Sequence, residues 1–473
     1  MTRPMKLRFA PSPTGYLHVG GARTAIFNLL HGRRHGGTML LRIEDTDVER
    51  SRQHHAEQIV SALNWLGVEY DEGPIYQSDR LDRYRQRVDE LLEKGSAYLC
   101  FCSVEVLDDE RQAAEKAGKQ YKYSGRCRRA ADRGDEDREG PHVVRCRVEP
   151  GRIEFRDLIR GDVHFEGENL DDFVLLRSDR NPTYHLSVVV DDIDMDVTHV
   201  ARGDDHLSNT PKHILLFRAF GAEVPVFAHL PLILGSDRKR LSKRTGATSV
   251  EEYRSLGILP DALFNFLSLL GWSPGGDREI ITRSESEKIF DLSDVNKAAA
   301  VFDDEKLSWL NGQYLSRMPA RDIYPHLLSF LTMPIDDDDR LFMIIDLFKS
   351  RSRTLRDLAQ SLIPYYIEDE ALEYDAAAVS KHLKGEDVAR RLRDVRDALA
   401  AVEPFTIEGG DKAVRELAEK SGLGAGKYIH PLRVALVGQL SSPPIFDVAV
   451  ALGKERSLRR VDRLLGNLPA LSS

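Results

Sequence analysis

The sequence predicts a multidomain protein in which an α/β domain is split by an α+β insertion and followed by an all-α C-terminal region. Three observations carry that expectation. Over residues 1–99 short apolar runs alternate with amphipathic helical periodicity, as in a strand–helix–strand fold. From Cys100 to about Tyr184 the chain turns charged and rich in Gly and Arg. From about residue 326 onward the pattern is helical throughout.

Taken in order, residues 7–10 and 39–43 are predicted strands, and helical spacing covers 21–35, 49–66 and 79–94. The insertion spans 100–184, and within it 143–148, 153–155 and 163–165 read as short strands. A parallel sheet is expected to resume over 185–250, with strands at 186–191, 197–200 and 229–234 and a helix at 210–220. Residues 251–325 read as a helical domain with paired aromatics, Trp272 and Trp309. The last region, 326–473, is expected to hold two subdomains divided near 410–425, where glycines gather.

Composition sets outer limits. A length of 473 residues fits roughly three domains at about 150 residues each, and 41% hydrophobic content is enough for their cores. No stretch approaches a membrane span, and the opening Met-Thr-Arg-Pro-Met-Lys has no apolar region of a signal peptide. Four cysteines are too few for a disulfide framework in so long a chain, so a reducing cytoplasm is the expected compartment. The net charge of −9 does not by itself point to nucleic acid. In a multidomain chain the deciding matter is whether Lys and Arg gather on one face.

Two segments carry the chemistry. In Arg8-Phe-Ala-Pro-Ser-Pro-Thr-Gly-Tyr-Leu-His-Val-Gly-Gly21 an apolar run stops at two prolines, and a turn then presents His18 beside Gly20 and Gly21. Ala22, Ala25, Ile26, Leu29 and Leu30 follow at helical spacing. Strand, glycine turn and helix N-terminus together suit a phosphate: the glycines let the backbone approach the anion, and His18 adds a donor. Alone, the segment reads equally as a stiff loop whose histidine caps a helix. The second segment, 235–246, places five cations (Arg238, Lys239, Arg240, Lys243 and Arg244) just after a predicted strand. Open α/β sheets keep their ligands at that end of the strand.

Together the two segments resemble the HIGH and KMSKS signatures of class I aminoacyl-tRNA synthetases, here His-Val-Gly-Gly (18–21) and Arg-Leu-Ser-Lys-Arg (240–244). The fuller likeness is to a bacterial-type glutamyl-tRNA synthetase, and it runs along nearly the whole chain. It implies a Rossmann-type catalytic domain in two halves (1–99 and 185–250), an acceptor-stem-binding domain at 100–184, a helical stem-contact domain at 251–325 and an anticodon-binding region at 326–473. It also implies a monomer that activates glutamate with ATP and Mg2+ once tRNA is bound, then passes glutamate to the terminal adenosine of the tRNA. Whether the glutamine tRNA is charged as well stays open at this point.

Adenylation needs no side-chain nucleophile, because the amino-acid carboxylate itself attacks the α-phosphate; the protein must position the reactants and stabilise phosphoryl charge. By resemblance His18, Gly20, Gly21, Arg240, Ser242 and Lys243 bind ATP, with His18 and Lys243 as catalytic residues and Lys243 reaching the leaving pyrophosphate. Arg240 stands where the motif has a lysine, so a planar fork replaces a compact ammonium. The glutamate pocket implied is Arg8, the Ala10 backbone, Ser12, Glu44, Tyr184 and Arg202. Arg8, at the end of a strand, suits a bidentate pair with a carboxylate, and Glu44 matches the acid that meets the α-amino group. On the residues alone, Arg8 also reads as half of a structural ion pair with Glu44, Asp45 and Asp47 as helix caps, and Tyr184 as core. Val188 stands where some members carry asparagine, and a valine cannot donate.

Cys100-Phe-Cys102 and Cys127 resemble the zinc site that some glutamyl enzymes carry, but the histidine position is Arg129. A structural zinc normally takes four protein ligands. His142, Asp132 or Tyr123 is a substitute fourth ligand; the alternative is a relic site of free thiols. Cys146 reads as a core thiol. Lys119 to Arg129 interleaves cations with tyrosines, a mixture suited to RNA backbone and bases. Arg351 matches the arginine that inspects the last anticodon base, while Arg433 and Arg459 read as anticodon-loop contacts or helix braces.

Overall fold

The computed structural model describes residues 3–46, 53–118, 121–133, 140–241, 248–336, 338–385 and 387–471. Two compact units divide the chain: Met1–Ser255 with Pro260–Leu307, and Leu256–Leu259 with Ser308–Ser473.

In the first unit, β1 (Lys6–Phe9), α1 (Val19–Arg34), β2 (Thr38–Ile43), α2 (Gln53–Leu66) and β3 (Glu72–Tyr76) build a parallel β1-β2-β3 sheet. The apolar runs read from the sequence are these strands, with Leu7 opposite Met39 and Phe9 opposite Leu41. Ala22, Ala25, Ile26, Leu29 and Leu30 of α1 are buried, as their spacing requires. After α3 (Leu81–Glu93), the elements β4 (Ala97–Cys100), α4 (Val104–Lys116), α5 (Arg126–Ala131), β5 (Val143–Cys146), β6 (Arg152–Asp157), β7 (Gly161–Glu166) and β8 (Val174–Leu176) follow. β4, β5 and β8 form a small antiparallel sheet, packed through Val144 and Leu175 on Tyr84, Val88 and Leu91 of α3.

The β6–β7 hairpin joins a different sheet. Next come α6 (Tyr184–Asp194), β9 (His199–Gly203), α7 (Thr210–Phe220) and β10 (Val226–Leu230), and the strand order is β7-β6-β10-β9. β10 runs parallel to both β9 and β6. Thr198 N–H donates to Lys6 O at 3.0 Å, which sets β9 beside β1. Residues 186–191, expected as a strand, are instead the helix α6. Leu186, Val189, Val190 and Ile193 keep helical spacing, but the residues from Leu186 to Asp192 are all buried, polar ones included, so no solvent-facing stripe accompanies it. The helix expected at 210–220 is α7, closed by Gly221 at φ +71°, a left-handed conformation that glycine adopts without steric cost.

The second unit is helical. Helices at Asp339–Phe348 and Leu355–Tyr366 bury Leu341, Ile344, Leu358 and Leu362; those at Val388–Ala400 and Lys454–Leu471 bury Leu392, Val395, Val461 and Leu464. Thr354 and Asp357 form a reciprocal capping box at one helix start. Among the described residues no helix is long and apolar enough to cross a membrane.

Candidate active site

The carboxyl ends of β1, β9 and β10 border one cavity of about 760 Å³, together with the loop before α1 and the start of α6. That location is where an open α/β sheet offers its ligand crevice.

On one side lies the N-terminus of α1. His18 is its cap: Nδ1 accepts from Gly20 N–H at 3.0 Å, leaving Nε2 as the ring's other polar atom. Gly20 and Gly21 follow in the first turn, and a Cβ on Gly21 would stand 3.2 Å from Leu17 Cδ1. The second signature segment folds back on its own strand at one side and meets this loop through the residues that follow it. Leu241 N–H donates to Ile233 O (3.2 Å), Val19 N–H to Thr248 O (2.9 Å) and Val250 N–H to Leu17 O (3.0 Å). Arg240, Leu241, Thr248 and His18 line the same cavity, with Arg240 exposed and 3.7 Å from Asp205. Ser242, Lys243 and Arg244 lie outside the described residues.

On the other side, β1 and β2 supply charges. Arg8 is 4% exposed, and its Nε donates to Asp192 Oδ1 at 3.2 Å. Arg42, wholly buried on β2, donates to the same Asp192 oxygen at 2.7 Å, and lies 3.2 Å from Glu44 and 3.7 Å from Asp191. Glu44 is held beside the loop by its own N–H, which donates to Pro11 O at 2.9 Å. The expected alternative of an Arg8–Glu44 pair is therefore replaced by two separate partnerships joined at Asp192. Burial opposes the charge on Asp192, but Arg8 and Arg42 outweigh it and hold the carboxyl below the ordinary range. Burial pushes Glu44 up despite Arg42 and Arg8. A carboxylate so under-compensated at a cavity wall favours a ligand cation. Asp45 accepts from the N–H and hydroxyl of Ser78 (2.8 and 2.7 Å), and Asp47 lies outside the described residues.

Arg202, on β9, completes the wall. Its Nε donates to His229 Nε2 (3.2 Å), Nη1 to His213 Nδ1 (3.1 Å) and Nη2 to Thr210 Oγ1 (2.8 Å). Burial pushes both imidazoles down, His213 far below its ordinary value, so these partners are neutral. Tyr184, the first residue of α6, meets His206 Nδ1 at 3.0 Å and is pushed up to about 12 by burial. Ala10, Ser12 and Tyr184 line the cavity with Arg8, Glu44 and Arg202, so the residues of the expected glutamate pocket share one site. Sequence reasoning missed Arg42, Asp192, His213 and the roles of Asp157 and His229. The one available signal was a charge inside an apolar run, as in Thr38–Ile43.

The thiols of Cys100, Cys102 and Cys127 converge, all within 4.8 Å of one another. Tyr123 Oη lies 3.4 Å from Cys100 Sγ and 3.6 Å from Cys102 Sγ. The other candidate fourth ligands are engaged elsewhere, Asp132 with Arg147 (2.5 Å) and His142 with Gly140 O (3.0 Å). Cys146 is buried apart from them on β5, its thiol pushed up to about 12 by burial. In the second unit, Arg351 Nη1 donates to Ser442 O (3.1 Å) and Arg433 Nε to Ser442 Oγ (3.0 Å), so these two arginines meet. Arg459 stands elsewhere, 3.2 Å from Asp369.

Residues 4–309 match the family described as tRNA synthetases class I (E and Q), catalytic domain, and residues 320–465 the one described as anticodon binding domain. The chain is 46% identical over 476 residues to a protein named glutamate–tRNA ligase 2 from Koribacter versatilis, with 98% of each covered. It is 42% identical over 470 residues to a glutamate–tRNA ligase 2 from Thermoanaerobacter pseudethanolicus, again with 98% of each covered. A solved glutamate tRNA ligase from Elizabethkingia meningosepticum, in complex with its amino acid, superposes with a TM-score of 0.88 at 34% identity, covering 98% of this chain and 100% of that one.

Proposed function

The chain belongs to the class I tRNA synthetases of the E and Q type, and from that membership we propose that it is a glutamate–tRNA ligase whose chemistry takes place in the cavity between Arg8 and His18. One observation carries the reading: a single cavity joins a glycine-opened helix N-terminus to a wall bearing Arg8, Glu44 and Arg202. Glutamate fits that wall in one orientation. Its side-chain carboxylate faces Arg8 and Arg202, its ammonium faces Glu44, and its α-carboxylate is left toward the α1 N-terminus. The triphosphate lies there, against the backbone of Gly20 and Gly21, with His18 donating from Nε2.

An α-carboxylate oxygen attacks the α-phosphorus; the new O–P bond forms as the bond to pyrophosphate breaks, giving glutamyl-adenylate. Lys243 and Arg240 draw off the negative charge that gathers on the leaving pyrophosphate. Mg2+ accompanies ATP and screens its phosphates. In the second step a hydroxyl of the tRNA terminal ribose attacks the glutamyl carbonyl carbon and expels AMP. Bound tRNA precedes the first step, with the acceptor end at the first unit and the anticodon at the second, where Arg351 and Arg433 suit the nucleotide contacts. Arg459, tied to Asp369, suits a helix brace. Cys100, Cys102 and Cys127 would supply three thiolates for a structural zinc; Tyr123, whose hydroxyl accepts from Cys127 N–H at 3.1 Å and whose ionisation burial opposes, is a poor fourth ligand. The working form is a cytoplasmic monomer.

The test is ATP–pyrophosphate exchange with and without tRNA, followed by charging of purified glutamate and glutamine tRNAs with labelled glutamate. The reading requires exchange that depends on tRNA and transfer to the glutamate tRNA. Lys243→Ala leaves tRNA affinity within about threefold and slows adenylation by about a hundredfold or more; equal loss of both would mean the loop serves binding instead.

A further inference from the structure

We propose that Asp157 and His229 form a positioning pair that fixes Arg202 in the glutamate pocket by dictating the tautomer of the His229 ring. The inference rests on the reading that Arg202 meets the substrate carboxylate. The three residues come from different strands: Asp157 ends β6, His229 lies on β10 and Arg202 on β9. Asp157 is 1% exposed and His229 0%.

Two ends of the chain of contacts impose the same tautomer. The Asp157 carboxyl is held below its ordinary range, burial being outweighed by hydrogen bonds from His229 and from the backbone of Arg160 and Ile159. As a carboxylate it accepts only, so His229 Nδ1, 2.6 Å away, must carry the proton. At the far end Arg202 Nε–H donates only, so His229 Nε2 must offer its lone pair, which also faces Thr210 Oγ1 at 3.0 Å. The ring thus passes the geometry of Asp157 to Arg202 while keeping the carboxylate one residue away. Arg8 shares its charge with the Asp192 carboxylate at 3.2 Å; the neutral acceptors around Arg202 orient its guanidinium and leave that charge for an anion.

Asp157→Asn separates this role from simple support. Oδ1 of Asp157 accepts three backbone N–H groups, from Arg160 (2.8 Å), Ile159 (2.9 Å) and His229 (3.3 Å). In the variant only an amide oxygen can take that place, so the amide NH2 faces His229 Nδ1. The ring must then accept at Nδ1 and carry its proton on Nε2, against the Arg202 N–H. The tautomer is inverted with shape and backbone contacts retained.

The expected result is a rise of about tenfold or more in the KM for glutamate, with the KM for ATP within about twofold and melting temperature nearly unchanged. Adding His229→Gln to Asp157→Asn supplies a rotatable amide oxygen near the former Nε2 and brings the glutamate KM back to within about threefold of the parent enzyme. An unchanged glutamate KM in Asp157→Asn, a parallel rise for ATP, or failure of the double variant to recover overturns the proposal. Arg202→Ala is the control for the underlying assignment. If it leaves the glutamate KM alone, Arg202 does not meet the substrate; if it raises the KM and Asp157→Asn does not, the positioning role alone is lost.

Discussion

Replacing Arg42 by methionine removes the cation that three buried carboxylates share, and the three do not suffer equally. Asp191 keeps Arg80 at 2.7 Å, with Gln77 (2.7 Å) and the Tyr84 hydroxyl (2.9 Å) on its other oxygen. Asp192 keeps Arg8 at 3.2 Å. Glu44 keeps no ion pair within 4 Å among the described residues. Breaking a buried pair from one side costs about 3–5 kcal/mol. Because only one of the three acids is stripped, the lower end, about 3 kcal/mol, is the expected loss at neutral pH.

That loss has a pH signature. Burial already holds Glu44 above its ordinary pKa, and without Arg42 it rises further. A carboxyl raised on folding is neutral at no penalty below its unfolded value and costs stability as pH climbs from there toward its folded value. A tenfold gain in proton affinity on folding corresponds to about 1.4 kcal/mol. The gap between parent and variant therefore widens by about 1–3 kcal/mol from pH 5 to pH 7.5. Urea unfolding followed by tryptophan fluorescence measures it, since Trp65 and Trp272 both lie in the first unit. Equal destabilisation at the two pH values would refute the reasoning and reduce Arg42 to a space-filling side chain.

His18→Ala is expected to cost about 1 kcal/mol through the lost cap and to slow pyrophosphate exchange by about a hundredfold; His18→Asn restores thermal stability, since asparagine caps well, but not the rate. Asp369, held down at about 2 by Arg456 and Arg460 against the opposing effect of burial, contributes stability that is present above pH 4 and fades as pH falls toward 2. Asp369→Asn should therefore lose about 2 kcal/mol at neutral pH and converge with the parent in acid, read by urea titration of the full chain at several pH values. Elemental analysis of purified protein separates the two readings of the cysteine cluster: zinc that Cys127→Ser lowers by about tenfold or more means a bound site, and none means free thiols.

Much of this fold is written locally. The strands β1 and β2, the capped start of α1 and the helix α7 follow from apolar runs, glycine positions and helical spacing within some fifteen residues of each. The site residues found early, Arg8, Glu44 and His18, sit at ends of those elements, where a strand stops and a polar residue begins. What escaped is non-local. α6 reads as a strand because the adjacent β-branched residues Val188, Val189 and Val190 mimic a buried strand and hide the helical spacing of Leu186, Val189, Val190 and Ile193. Asp192 and Arg42 are 150 residues apart, and Asp157 and His229 are 72 apart. The parallel pairing of β6 with β10 brings the second pair together, and the packing of the helix α6 beside β1 and β2 the first. The approach of Cys100 and Cys102 to Cys127 is implied by the family resemblance; which of His142, Asp132 and Tyr123 lies beside them is not legible from spacing.

The detour itself is stitched to the reaction. Residues 152–157 lie within the stretch that interrupts the nucleotide-binding pattern, yet their strand ends in Asp157, which pairs with Phe227 of β10. Excising 100–184 to make a minimal adenylating core would unzip the sheet edge and leave His229 without its anchor. A shorter cut that removes only the antiparallel trio β4, β5 and β8 spares the hairpin but strips the core that Val144 and Leu175 share with α3, α6 and α7. The base of the segment is thus tied, through Asp157 and His229, to Arg202 on the cavity wall.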